Sequence, residues 1–434
     1  MDIYIVKPGD TIFSIAQKYN VPYERLSYDN NILPDYNIVS GQIIVIPRAN
    51  QIYIVEEGDN LRSIATKNGI SELQLLQNNP YLSDRDYLNI GEELVISYDK
   101  SEQEFEIDGF CFSNINYDAL KKILPYLTYL TIVDYRVNAF GMIETSDNGE
   151  LIQLAKTYGV APIMLLSTFS QLGQGSYGVT NKILNDVDLQ NKIIEEALFY
   201  LRKDGLYGIN IGFSFILPED LNSYVDFIAR TKEALQMEGY QVFVTMEPNT
   251  FGFKANENND IPYYSQIGQI ADAVVLLSYQ WTNAYFPSYE QTTIPFLKSY
   301  IDYVMTQIPP EKILISYSRI AYDWELPYVE GSSLVTTLPN VRALYQASLI
   351  GIDVGFDEYY VTPYYYYIST DGIKHFVWFK DARTVNAIID FVVDYNFKGI
   401  SVWNIMDFVP QLWVTINSQY NIRKVLNITS DIVV

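Results

Sequence analysis

Beyond Phe105 the chain alternates short strand-forming runs with helix-patterned stretches, and this alternation restricts the fold more than any other feature. The runs are Glu106 to Phe112, Tyr129 to Asp134, Ala161 to Ser167, Gly208 to Ile216, Gln241 to Glu247, Ala273 to Tyr279, Lys312 to Ser318 and Gly399 to Ile405. Parallel strands need a long crossover, usually a helix, between them. Eight such units over this length are what a closed (β/α)8 barrel requires. A doubly wound open sheet would want fewer strands and a glycine-rich phosphate turn, and none follows the first run. The expected fold class is α/β, a (β/α)8 TIM barrel over residues 104–430.

The N-terminal residues are an internal repeat. Tyr4-Ile5-Val6-Lys7-Pro8-Gly9-Asp10-Thr11-Ile12 recurs as Tyr53-Ile54-Val55-Glu56-Glu57-Gly58-Asp59-Asn60-Leu61, a shift of 49 residues. Each copy reads as strand, Gly-Asp turn, helix, second short helix with an asparagine pair (Asn30-Asn31, Asn78-Asn79) and closing strand. These βααβ units, expected at 1–48 and 51–98, resemble LysM modules, which bind N-acetylglucosamine polymers. The resemblance places a glycan groove beside the first turns, Gly9, Asp10, Thr11 and Ile12 in one copy and Gly58, Asp59, Asn60 and Leu61 in the other. The far walls would be Leu33 to Ile38 and Leu82 to Asn89. The polar link Tyr98 to Glu104 is expected to act as a modest hinge.

Composition narrows the chemistry. A formal net charge of −23 argues against nucleic acid and anionic lipid as partners and favours a neutral ligand held by hydrogen bonds and aromatic stacking. No apolar run reaches the length of a membrane span. One cysteine, Cys111, excludes an intrachain disulfide, and with His375 the lone histidine neither a histidine metal cluster nor a Ser/His/Asp triad is expected. No metal or cofactor is expected, and His375, in the strand-like Lys374 to Phe379, reads as structural. The thirty-eight tyrosines, including Tyr364 to Tyr367, read mainly as core and strand residues.

The chemistry turns on Tyr207-Gly208-Ile209-Asn210-Ile211-Gly212-Phe213-Ser214-Phe215. Its period-two alternation gives a strand with one face packed outward and the other, bearing Asn210, Gly212 and Ser214, lining something. The segment resembles the signature strand of family 18 glycoside hydrolases, in which three aspartates lead to a glutamate. In that family the glutamate protonates the glycosidic oxygen, and the aspartate two residues before it orients the substrate's own acetamido group for attack on the sugar carbon. The resemblance maps the glutamate to Ser214, the orienting aspartate to Gly212 and the remaining aspartates to Asn210 and Tyr207. A serine hydroxyl has no proton to give near neutral pH, so these positions read as degenerate and no catalytic residue is assigned.

The resemblance extends along the chain to sporulation-type members that carry two LysM modules. Gly159 to Leu165, Ala271 to Trp281, Lys312 to Ile315 with Ala321 to Trp324, and Gly399 to Trp403 match their strands, with Gln280 and Lys380 where carboxylates are usual. It implies that Trp403 floors the sugar site, that Tyr279 bonds the acetamido group and that Gln280 alters cleft polarity. Asp134, Glu247 and Asp323 fall near predicted strand ends and are the carboxylates that could substitute for the missing acid. Glu219 and Asp220 read as helix-start residues. The expectation is a spore-associated protein that binds peptidoglycan or another N-acetylglucosamine-containing glycan through a degenerate, inactive barrel. Spore coat or cortex proteins are a second class of partner. The alternatives are an N-acetylglucosaminidase acting on cortex fragments through a non-standard acid, and a purely structural coat or packing protein. Lacking a basic-then-apolar leader, the chain is expected to be made in a mother-cell cytoplasm and deposited on the spore.

Overall fold

A computed structural model of the chain describes residues 1–33, 37–85, 87–169, 177–213, 216–247, 263–277, 293–329 and 335–427. The first module comprises β1 (Asp2–Ile5), α1 (Ile12–Tyr19), α2 (Tyr23–Asp29) and β2 (Ile43–Ile46), its strands antiparallel. The second repeats the plan with β3 (Ala49–Ile54), α3 (Leu61–Asn68), α4 (Glu72–Asn78) and β4 (Glu93–Tyr98). The first helices start where the sequence caps them. Thr11 and Asn60 accept from the backbone amides of Ser14 and Ser63, whose hydroxyls bond back to form capping boxes.

One buried asparagine then fastens each module. Asn30 accepts from the Val45 amide (2.7 Å) and donates to the carbonyls of Val45 (2.8 Å) and Leu26 (3.0 Å). Asn79, 49 residues later, repeats the pattern with Val95 (2.9 and 2.8 Å) and Leu75 (2.9 Å).

The barrel strands are β5 (Glu104–Cys111), β6 (Tyr129–Val137) with its short antiparallel partner β7 (Ile143–Glu144), β8 (Ala161–Ser167), β9 (Gly208–Gly212), β10 (Gln241–Met246), β11 (Ala273–Leu276) and β12 (Ile313–Ser318). Between β12 and the last barrel strand lies a second sheet that the sequence reading did not anticipate. Its strands are β13 (Ile320–Leu326), β14 (Val335–Pro339), β15 (Gly355–Asp357), β16 (Thr362–Ile368) and β17 (Lys374–Trp378), in the order β14-β13-β17-β16-β15 and all antiparallel. The barrel then resumes with β18 (Gly399–Trp403), which pairs in parallel with both β12 and β5 and closes eight parallel strands. A short β19 (Asn421–Ile422) adds to the start of β5. The (β/α)8 expectation holds.

Strand parity separates two cores. Ile209, Ile211, Val242, Val244, Val274, Leu276, Ile313 and Ile315 face outward into the large cluster shared with the helices. Phe110, Tyr129, Ile163, Leu165, Phe243, Val275 and Leu314 fill the barrel interior. The inserted sheet covers the helix Asn340–Ile350 with one face, through Ala321, Ala343, Ala347 and Tyr365. Its other face is aromatic, built on Tyr322, Trp324, Phe376 and Trp378.

The link between the modules and the barrel differs from the expected hinge. The Ser101 amide donates to the Gln419 carbonyl (2.8 Å), and the Lys100 ammonium to the Asn417 side chain (2.8 Å). Around it, Gln411 donates to Asn30 (3.1 Å), Asn417 to Asn78 (2.9 Å) and Tyr126 to the Gln77 carbonyl (2.6 Å). Ile43 and Val45 of β2 pack on Ala382 and Val414. The helix Pro410–Asn417 is buried along most of its length because both modules seat on it. Among the described residues no helix is long and apolar enough to cross a membrane.

Candidate functional site

The C-terminal ends of barrel strands are where this fold builds sites. On β9 the inner face carries Asn210 and then Gly212, which lies in register with Ser167 of β8. Asn210 is fully buried; its Oδ1 accepts from Thr245 Oγ1 of β10 (2.8 Å), while its Nδ2 has no hydrogen-bond partner among the described residues. A neutral amide therefore stands in the interior at this level. Trp403 ends β18 in register with Phe110 and Ser318, its ring 5.4 Å from Phe110 and 6.0 Å from Phe112. Half-buried on the interior cluster, it presents an aromatic surface at the mouth. Ser214, Tyr279 and Gln280 lie outside the described residues.

Tyr207 is not brought into this mouth. It precedes β9 at the opposite, N-terminal end of the barrel, its ring 6.0 Å from that of Tyr129, whose hydroxyl donates to Glu106 (2.8 Å). It packs against the interior cluster at that lower end, so its distance along the barrel, not its face, keeps it from the mouth.

The three substitute carboxylates have different fates. Asp134 accepts from the Ser146 amide (2.6 Å) and Asn148 (3.2 Å) and pairs with Arg136 (3.0 Å), which fastens the loop after β7. Asp323 sits on β13 of the inserted sheet rather than on a barrel strand, held by His375 Nδ1 (2.8 Å) and the Tyr367 hydroxyl (2.7 Å). That contact also gives His375 its structural place, stacked on Tyr367. Glu247 follows β10 and is nearly buried, close enough for its charge to act on the Tyr300 hydroxyl. Asp220 ties the helix Tyr177–Leu184 through Asn181 and Asn185 rather than capping its own helix.

Two groups near the barrel, Asp108 and Arg319, escaped the sequence reading, and the structure also places Lys380. Asp108 is buried in the interior, accepting from Thr131 (2.8 Å) and Ser401 (3.2 Å), and burial pushes its carboxyl up to about 7. The Arg319 guanidinium donates to the Asp407 carboxylate (2.5 Å) and carbonyl (2.6 Å), joining the loops after β12 and β18. Lys380, buried beside β12, donates to the Ser318 carbonyl (3.1 Å), and burial lowers its ammonium to about 8. Only parity on the first strand could have flagged Asp108; the Arg319 contact joins loops 88 residues apart in sequence.

In the modules the first turns are already occupied by the fold. Gly9 and Gly58 both have φ of +87°, left-handed geometry that glycine adopts without strain. Asp10 accepts from the Lys7 amide (2.8 Å) and Tyr4 hydroxyl (2.7 Å), and Asp59 from the Glu56 amide and Tyr53 hydroxyl (both 2.8 Å). Thr11 and Asn60 are engaged as caps, Ile12 is buried and Leu61 half-buried. A ligand at these turns meets backbone more than side chain.

Comparison with known proteins follows this division. The glycosyl hydrolases family 18 model matches residues 174–407, and the LysM domain model matches 4–47 and 53–97. The chain belongs to glycosyl hydrolase family 18. It is 29% identical over 429 residues to the cortical fragment-lytic enzyme of Bacillus subtilis (strain 168), covering 98% of this chain and 99% of that one. The crystal structure of the Bacillus megaterium QM B1551 spore cortex-lytic enzyme SleL superposes with a TM-score of 0.78 at 26% identity, covering 97% of this chain and 98% of that one. The Bacillus cereus SleL structure gives the same TM-score and identity over 98% and 99% of the two chains. This family 18 chain thus shares the LysM and barrel plan of those proteins over their whole length.

Proposed function

We propose that this protein binds N-acetylglucosamine-containing glycan of the spore peptidoglycan type and holds it without cutting it. One observation carries this reading: the signature segment reads Asn210, Gly212 and Ser214 at alternate positions, with no carboxylate where the family's acid and its orienting aspartate are expected. General acid–base catalysis is typically worth about 10²–10⁴ in rate. The absent carboxylate at Gly212 also removes the charge that would stabilise a positively charged intermediate on the same path. Trp403 supplies a stacking surface, with Tyr279 and Gln280 as the polar contacts expected beside it. The LysM modules, taken as 1–48 and 51–98, anchor the protein through their Gly9 to Ile12 and Gly58 to Leu61 turns and the backbone these expose. Similarity to cortical fragment-lytic and spore cortex-lytic enzymes over nearly the whole chain supports cortical peptidoglycan as the ligand and the spore as the location.

Retained hydrolysis is the second reading, favoured by similarity to lytic enzymes over 98% of the chain. Glu247, which follows barrel strand β10, is then the candidate acid by position, whereas Asp323 lies on the inserted sheet. The test is co-sedimentation of the protein with insoluble cortex peptidoglycan, followed by mass spectrometry of the supernatant. The proposal expects the protein in the pellet and no new muropeptide fragments. Fragments ending in N-acetylglucosamine would establish hydrolysis instead, and protein left in the supernatant would remove the binding role.

A further inference from the structure

Between the two modules lies a cleft of about 1280 Å³ whose lining does not include the first-turn residues Gly9 to Ile12 or Gly58 to Leu61. Its walls come from the end of α1 and the start of α2 on one side, and from β3 and the entry to β4 on the other. Sites for drug-sized ligands occupy roughly 300–1,000 Å³, so this one has room for a chain of several sugars. On one wall Phe13 and Tyr23 are 56% and 40% exposed with ring centroids 6.3 Å apart, and on the other Ile52 is 51% exposed.

The two walls are held in fixed relation. Arg25 of α2 reaches across to the Asn78 carbonyl (2.7 Å), Asn79 Oδ1 (3.0 Å) and the Tyr98 hydroxyl (3.0 Å) of the second module while its Nε bonds Asp29 (2.7 Å). The opening is therefore built into the fold, and a ligand need not close the modules around itself. Its charges are largely matched internally: Arg25 with Asp29, Arg48 with Asp2 (2.5 Å) and Glu92 with Arg85 (2.5 Å). Exposed rings beside charges that are mostly paired with one another suit the apolar faces of a neutral sugar chain. The cleft adjoins groove segments of both modules in sequence: Phe13 directly follows the Gly9 to Ile12 turn, and Gly91 and Glu92 in the far wall come just after the segment ending at Asn89.

We infer that the inter-module cleft is an additional binding site for a neutral N-acetylated glycan, bridging the two module grooves so that one strand engages both. This deepens the proposed function and rests on its reading of the modules as glycan binders. The full-length protein would be titrated calorimetrically with the N-acetylglucosamine dimer and hexamer, beside Phe13→Ala/Tyr23→Ala and, on the opposite wall, Ile52→Asn. All three positions are exposed, and unchanged circular dichroism and Tm would confirm the fold. The wild type is expected to bind the hexamer at least about tenfold more tightly than the dimer, and each variant to lose most of that gain while keeping the dimer affinity, a loss of the size of one or two stacking contacts. Trp403 is unaltered throughout, so a loss confined to these variants belongs to the cleft. Variants that retain full hexamer affinity, or a wild type with no gain from dimer to hexamer, would overturn the inference. A wild type that binds neither oligomer would overturn the glycan-binding reading first and this inference with it.

Discussion

At the residue scale, Asp108 makes the sharpest prediction. Burial raises its carboxyl from 3.8 to about 7, so the folded chain holds this proton more tightly than the unfolded chain. Its contribution is fully present below the unfolded value and is lost as pH rises through about 7. The shift corresponds to at most about 4 kcal/mol. Asp108→Asn is therefore expected to raise Tm at pH 8 relative to the wild type and to flatten the decline between pH 4 and 8, as read by thermal melts across that range. Equal slopes for both proteins would contradict the assignment. The same scale shows what side-chain chemistry hides in a sequence. Asp10 and Asp59 look available for a ligand, yet their partners Tyr4 and Tyr53 lie six residues upstream and complete the turn.

At the element scale, Asn30 and Asn79 each join a helix end to a strand through three hydrogen bonds in the module interior. Alanine at either position leaves the backbone groups of Val45 or Val95 without that partner and is expected to cost about 2–4 kcal/mol. Denaturant unfolding of Asn30→Ala and Asn79→Ala measures this, and a change below about 0.5 kcal/mol would show that the asparagines are dispensable. The eight barrel strands were legible because each is a short apolar run between helical patterns. The inserted sheet was not: β13 and β17 are neighbours separated by most of the insertion, and the Asp323–His375 contact spans 52 residues. On β9, parity placed Asn210 and Gly212 on the inner face, whereas the mapping of Tyr207 followed a motif whose first position falls outside the strand.

At the scale of the whole molecule, the modules and barrel share the helix Pro410–Asn417, and the link is hydrogen-bonded at Lys100 and Ser101. Such docking predicts that trypsin spares the Lys100 peptide bond under native conditions, and that melts followed by module and barrel probes coincide. Early release of an N-terminal fragment ending at Lys100, or two separate transitions, would restore the picture of a hinged anchor. With the modules fixed, their proposed glycan sites keep a set direction relative to the barrel mouth.

In the proposed reading the barrel retains a sugar surface and lacks the acid. Reducing-end release from purified cortex fragments, measured with the wild type at stoichiometric concentration beside the double variant Gly212→Asp/Ser214→Glu, tests it most directly. The account predicts wild-type release at the no-protein blank and release above it from the double variant. Wild-type release above the blank, abolished by Glu247→Gln, would contradict it.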